Sequence, residues 1–136
     1  MLKKDRSQME LRRSYLRYLL AIYELTRSQL DIGIVDIAKA MDCSKASVTN
    51  MMSNLMDMNL LVRERYGKVY LTDTGFIIGK DLSRAAAELK TRLPALRLEL
   101  TDEEASALAH ELVLLLPEYS VKALAGKCRK NSRCTD

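Results

Sequence analysis

The chain has 136 residues, of which 48% are apolar and 29% charged, and its formal net charge is +4. This composition is typical of a folded globular protein and excludes an intrinsically disordered chain. No apolar run approaches the roughly 20 residues that span a bilayer, and the first residues are charged, so we expect a cytoplasmic protein with no membrane partner. Three cysteines without a CxxC pair indicate free thiols rather than a disulfide framework: Cys43, Cys128 and Cys134.

The excess positive charge lies in the N-terminal part of the chain. Residues 1–80 contain 13 Lys or Arg against 9 Asp or Glu, whereas residues 81–136 contain 9 of each. If the protein has a nucleic-acid surface, we therefore expect it before residue 80.

The spacing of apolar residues predicts a long amphipathic helix over residues 7–28 and a short helix over residues 35–41, the latter burying Val35, Ile37, Ala38 and Met41. After a short turn, Ser44 is a good N-cap for a third helix over residues 45–58. Two helices joined by such a turn, the second with small polar side chains at its start, form a helix-turn-helix.

The next residues change to a strand pattern. The runs LLVRERYG and KVYLT meet at residues 66–67 and predict a β-hairpin, which directly behind a recognition helix is a wing. A further helix is expected from residue 72 to about residue 93, before Pro94. Thr101 and Glu104 form a capping box that opens an apolar helix to about residue 116, and a last helix over residues 117–125 is expected to end at Gly126.

These elements predict a mainly α protein in three parts. A winged helix-turn-helix DNA-binding domain occupies residues 1–73, an all-helical dimerisation domain residues 74–126, and a flexible basic tail residues 127–136. The helices after residue 73 are too apolar to be covered by a small winged domain, so we expect a homodimer. A twofold dimer presents two recognition helices to a pseudo-palindromic site on double-stranded DNA.

The expected DNA-binding residues lie at the start of the recognition helix and on the wing. Lys can bind guanine or phosphate and Asn can pair with adenine, while wing cations bind phosphate or the minor groove. The predicted set is Ser44, Lys45, Ser47, Thr49, Asn50, Arg63, Arg65 and Lys68.

Three segments, YLLAIYEL, IVDIAKAMDCSKASVTNMMSNL and GKVYLTDTGFIIGK, resemble the diphtheria toxin repressor and manganese transport regulator family of metal-dependent repressors. The resemblance covers about residues 15–116 and corresponds to the short form without an SH3-like domain. It implies a winged helix, a helical dimerisation domain, and repression of metal-homeostasis genes when Mn²⁺ or Fe²⁺ binds.

The same resemblance places the metal ligands of the family on side chains that mostly cannot bind metal here. The corresponding positions are Arg17, Leu20, Ala86, Glu111, Leu114 and Leu115. A site for Mn²⁺ or Fe²⁺ needs several oxygen and nitrogen ligands around one point. Only Glu111 supplies one, so we predict that the usual metal control is lost and expect no cofactor.

One hypothesis is that Arg17 and Glu111 replace the metal with a fixed ion pair, since a guanidinium can bind a carboxylate through two N–H groups. The alternative is a drifted site filled by leucine packing, with Arg17 solvated.

Other interpretations stay open at this point. A working metalloregulator could use Glu111, His110 and Glu88, and a dimeric interaction module could have lost DNA binding. Cys43 could sense oxidants or simply fill the turn, and Cys128 and Cys134 could hold a soft metal or belong to a plain tail. No phosphate-binding loop, G-x-S-x-G or HExxH motif is present, so an enzyme is not expected.

Overall fold

A computed structural model describes the backbone of residues 2–65 and 67–130, and the side chains of residues 8–65 and 67–127. Its elements confirm a mainly helical chain whose N-terminal part is a winged helix-turn-helix. In chain order they are α1 (Leu2–Ser28), α2 (Ile34–Met41), α3 (Lys45–Asp57), β1 (Leu61–Arg63), β2 (Val69–Leu71), α4 (Asp73–Arg92), a 3₁₀ turn (Leu93–Leu96), α5 (Asp102–Leu115) and α6 (Glu118–Lys130). Within these residues no helix is both long and apolar enough to cross a membrane.

The chain divides into two units between Gly79 and Lys80, inside α4. The first unit contains the helix-turn-helix and the hairpin, and the second contains the rest of α4 with α5 and α6. The predicted change of domain after residue 73 stays a prediction.

One aliphatic core holds the elements of the first unit together. Its buried side chains come from α1, the loop after it, α2, α3 and both strands: Leu19, Ile22, Ile32, Ile37, Ala38, Val48, Met52, Leu55, Leu61 and Val69. Full burial of a side chain of this size stabilises the fold by about 1.5–3 kcal/mol. The recognition helix and the wing are therefore anchored to the same core as α1.

Helix α2 begins one residue earlier than predicted, and one of the side chains expected on its buried face is exposed. The extended backbone of Gly33 donates its N–H to Asp36 Oδ2 at 2.8 Å, which starts the helix at Ile34. Ile34 packs against the core, whereas Val35 is 57% exposed, so the expected burial of Val35 was wrong.

The hairpin is confirmed, with antiparallel pairing of Leu61 with Leu71, Val62 with Tyr70 and Arg63 with Val69. Backbone bonds from Glu64 N–H to Lys68 O at 2.8 Å and from Gly67 N–H to Glu64 O at 3.0 Å close its turn. Gly67 adopts φ 86°, which glycine tolerates at no steric cost. Tyr66 lies outside the described residues.

The start of α4 packs directly on the chain that enters the wing. Thr72 Oγ1 accepts the N–H of Gly75 at 3.1 Å and donates to Asn59 O at 2.9 Å. A side-chain carbon at Gly75 would overlap the carbonyl oxygen of Leu60. The helix therefore needs a glycine at this position.

The second unit begins its helix α5 with the predicted capping box. Thr101 Oγ1 accepts the N–H of Glu104 at 3.1 Å, and Glu104 Oε1 accepts the N–H of Thr101 at 3.0 Å, which lowers the pKa of the Glu104 carboxyl. Lys90 Nζ lies 2.8 Å from Asp102 Oδ1 and ties α4 to the start of α5. The buried side chains of α5 are Ala109, Val113 and Leu114.

The prediction that the last helix ends at Gly126 was wrong, because α6 continues to Lys130. A glycine ends a helix when it turns into the left-handed region, and Gly126 does not have a positive φ. The first residues of the predicted tail are thus helical, whereas residues 131–136, with Cys134, and the side chain of Cys128 lie outside the described residues.

Two glycines give opposite predictions for replacement by alanine. Gly75→Ala should lower the free energy of unfolding by about 1–3 kcal/mol, because the added carbon meets backbone and must displace it. Gly126→Ala has no atom within 4 Å of the added carbon and should raise it by up to about 1 kcal/mol through helix propensity. Urea denaturation followed by circular dichroism measures both, and a Gly75→Ala protein as stable as wild type would contradict the packing.

Candidate nucleic-acid interface

The start of α3 is fixed by Ser44, as the sequence predicted. Its Oγ accepts the backbone N–H of Ser47 at 3.1 Å and donates to the hydroxyl oxygen of Ser47 at 3.0 Å. Satisfying a free N–H in this way contributes about 1 kcal/mol to a helix. The Ser44 hydroxyl thus has a partner within the helix both as a donor and as an acceptor. The Ser47 hydroxyl accepts from Ser44 and can still donate its own proton to another group.

The polar face of α3 is exposed, and its opposite face is buried through Val48, Met52 and Leu55. Lys45, Ser47 and Asn50 are exposed, whereas Thr49 is half-buried and donates its hydroxyl to Lys45 O at 2.9 Å. The structure therefore brings Lys45, Ser47 and Asn50 to one solvent-facing turn and directs the Thr49 hydroxyl back onto the helix.

A contact from α1 braces the turn in front of α3. Tyr18 Oη lies 3.5 Å from Cys43 Sγ, and the two groups share a hydrogen bond. Burial, assisted by this bond and by the neighbouring thiol, raises the pKa of Tyr18 from 10.0 to about 12. Cys43 is half-buried and forms part of this packing at the turn.

The three predicted cations of the wing differ in their surroundings. Arg63 and Arg65 are exposed. Lys68 Nζ lies 3.3 Å from Asp31 Oδ1, in the loop between α1 and α2, and this ion pair raises the pKa of the lysine. Among these three described cations, Lys68 is the one that forms an ion pair with a carboxylate outside the wing.

Three of the positions that the resemblance assigns to metal ligands are buried and apolar. Leu20, Ala86 and Leu114 are each no more than 3% exposed, and their side chains consist of carbon and hydrogen alone. Since Mn²⁺ and Fe²⁺ bind through oxygen and nitrogen, these residues do not fit the metal. Arg17 and Glu111 are exposed residues of α1 and α5, in different units, and their pairing stays a prediction.

The alternative ligand set of the second unit does not assemble either. Glu88 is 3% exposed, and its Oε1 accepts N–H groups of Arg92 at 2.9 and 3.2 Å. His110 Nδ1 donates to Ser106 O at 2.6 Å. Across the part of the chain that the structure describes, His, Cys, Asp and Glu form no group of three that could hold a metal ion.

The comparisons with known proteins support the interpretation of this surface as one that binds DNA. Residues 10–69 match the family described as iron dependent repressor, N-terminal DNA binding domain. This segment contains the last two thirds of α1, the helix-turn-helix and the start of β2. This segment is therefore similar to the N-terminal DNA-binding domain of iron-dependent repressors. The match supports the prediction of a DNA-binding protein rather than an enzyme. No curated protein matches the chain.

Solved structures show the same fold. A hypothetical protein of Sulfolobus solfataricus is 24% identical with a TM-score of 0.62, and the match covers 90% of this chain and 92% of that one. The apo form of the manganese-activated repressor ScaR is 30% identical with a TM-score of 0.60, and the match covers 81% of this chain and 52% of that one. The metal-dependent transcriptional regulator MtsR is 20% identical with a TM-score of 0.70, and the match covers 88% of this chain and 55% of that one. The chain thus spans about half the length of ScaR and of MtsR.

Some residues of the candidate surface lie outside the predicted DNA-binding set. Ala46 and Ser53 are also exposed on α3, and so is Asn54, which the helical period places on the polar face one turn after Asn50. Asp31 was missed because its partner Lys68 lies far away in the chain, and no local pattern joins the two.

The Tyr18 contact predicts an alkaline loss of stability. Since the folded state raises the pKa of this phenol, its contribution is complete below pH 10 and is lost as the pH rises through about 12. Tyr18→Phe should remove a tyrosine ionisation that occurs well above pH 10, as seen by ultraviolet absorbance. Cys43→Ala should leave that ionisation well above pH 10, because burial is its largest cause; a return to the ordinary value would show that the thiol is the main cause.

Proposed function

We propose that the protein is a homodimeric transcription regulator that binds double-stranded DNA as a repressor through α3 and the wing. The observation that carries the proposal is the exposed polar start of a capped recognition helix, followed by a basic hairpin, in a domain that matches iron-dependent repressors. ScaR, which is described as a manganese-activated repressor, supports the assignment to repression.

In this proposal the recognition helix enters the major groove and the wing contacts the backbone. Lys45 and Asn50 have the side chains that pair with guanine and adenine edges, and Ser47 has a hydroxyl donor. Arg63 and Arg65 neutralise phosphates or enter the minor groove. Ser44 contributes its cap and Thr49 its methyl group, while Lys68 is restrained by Asp31.

The dimer is proposed from the second unit, which exposes several large apolar side chains. Leu96, Leu98, Leu115 and Tyr119 are 49–76% exposed. Dimerisation would remove such side chains from water, and apolar surface is characteristic of protein interfaces. A second copy of the chain is the proposed occupant, because a twofold dimer also provides two recognition helices for one pseudo-palindromic site.

The experiment that tests DNA binding measures how affinity for a pseudo-palindromic fragment depends on salt. Each phosphate contact contributes about 0.9 to the slope of log K against log salt, so Arg63→Ala and Arg65→Ala should each lower the slope by about one. Lys127→Ala, an exposed lysine of α6, is the matched control and should leave the slope unchanged. Two chains should bind per fragment. Binding without salt dependence, or equal effects of all three variants, would contradict the assigned surface, and a chain that does not bind the fragment would favour an interaction module.

We also propose that DNA binding does not require Mn²⁺ or Fe²⁺, with Arg17 and Glu111 forming the ion pair that replaces the metal. The support is the buried apolar character of Leu20, Ala86 and Leu114 at family ligand positions. A guanidinium stays charged at all relevant pH values and can bind a carboxylate through two N–H groups.

Charge reversal tests this pair. Arg17→Glu and Glu111→Arg should each weaken DNA binding, and the double variant should recover most of the loss, since it restores an opposite-charge pair. Thermal unfolding of each variant serves as the control for folding. If the losses simply add in the double variant, the two side chains do not pair, and the drifted site filled by leucines is the better explanation.

A further inference from the structure

The loop between α1 and α2 is attached to the wing at two neighbouring positions. The N–H of Val69 donates to Ile32 O at 2.8 Å, and both residues are only 2% exposed. One residue earlier in each segment, Lys68 Nζ lies 3.3 Å from Asp31 Oδ1. The buried backbone bond therefore fixes the places from which the two charged side chains extend, and it brings them within contact.

Asp31 lies in a loop segment that hydrogen bonds restrain on both sides of this residue. The side-chain amide of Gln29 donates to Asp31 O at 3.1 Å, and Gly33 N–H donates to Asp36 Oδ2 at 2.8 Å. Lys68, in contrast, ends in a point charge on a flexible stem of four carbons. The lysine is therefore the partner that adapts, and its position is set by the aspartate.

We propose that Asp31 is a positioning residue that holds Lys68 on the α1–α2 loop and withholds it from DNA phosphates. The inference rests on the proposed DNA-binding function and refines it, because it leaves the phosphate contacts of the wing to Arg63 and Arg65. Asp31 thus lowers the affinity of the wing for nucleic acid of any sequence. Such a restraint favours discrimination, since nonspecific binding derives almost entirely from phosphate contacts.

The pair can be removed without unfolding the protein. Both side chains are partly exposed, at 44% for Lys68 and 64% for Asp31. Ion pairs at this exposure contribute little to stability. An effect of Asp31→Asn on DNA binding is consequently a change at the binding surface.

The experiment uses the full chain and a mixed-sequence 24-base-pair duplex as the probe, at about 50–200 mM salt, a range over which affinity changes steeply. Asp31→Asn should bind more tightly than wild type at low salt and should steepen the slope of log K against log salt by about 0.9, the contribution of one added phosphate contact. Lys68→Ala should leave the slope of the wild type unchanged. Asp31→Asn in the Lys68→Ala background should have no effect on the slope.

Two controls separate the proposed role from a general effect of charge. Asp57→Asn removes another exposed carboxylate of the same unit, at the end of α3, and should not steepen the slope. If Asp31→Asn tightens binding equally with and without Lys68, Asp31 acts by repelling DNA directly and the proposal is overturned. It is also overturned if Lys68→Ala alone lowers the slope by about one. A wild-type chain that does not bind the duplex at all would refute the proposed function itself, and this inference with it.

Discussion

The placement of the DNA-binding surface depends on the burial of one face of α3 against α1, α2 and the hairpin. Val48, Met52 and Leu55 are fully buried, and Leu61 and Val69 of the wing belong to the same core. Because a helix buries one stripe and exposes the other, fixing these three side chains also fixes Lys45, Ser47 and Asn50 toward solvent. The hairpin shares that core, so α3 and the wing are held by the same packing.

The ends of α3 are stabilised by contacts that its own sequence provides. Ser44 caps the first turn, and at the other end Asn59 adopts φ 59° while Leu60 N–H bonds to Leu55 O at 2.9 Å. Asparagine tolerates this left-handed conformation better than most residues. The chain leaves the helix directly into β1, which places the wing beside the recognition helix with a connection of three residues.

Features with local causes could be predicted from the sequence. The cap at Ser44, the capping box of Thr101 and Glu104, and the hairpin all follow from residue types at fixed short spacings, and the structure contains each of them. The start of α2 was missed because it depends on Gly33 and Asp36 rather than on apolar spacing. The continuation of α6 through Gly126 was missed because glycine permits a helix end without requiring one. The Asp31–Lys68 pair joins distant segments, and no periodic pattern predicts such contacts.

In the proposed mechanism, contacts within the chain assemble the DNA-binding conformation, whereas in a metal-activated repressor the bound metal does so. The described contacts of the first unit include apolar packing, caps and the Tyr18–Cys43 hydrogen bond, and Leu20, Ala86 and Leu114, which the resemblance aligns with metal ligands of the family, offer only carbon. The most direct test is DNA binding by the purified protein on fragments upstream of its own gene, first in chelator and then with added Mn²⁺ or Fe²⁺. The account predicts tight binding in chelator that metal leaves unchanged. Binding that occurs only after metal is added would contradict it and would mean that other residues form a regulatory metal site.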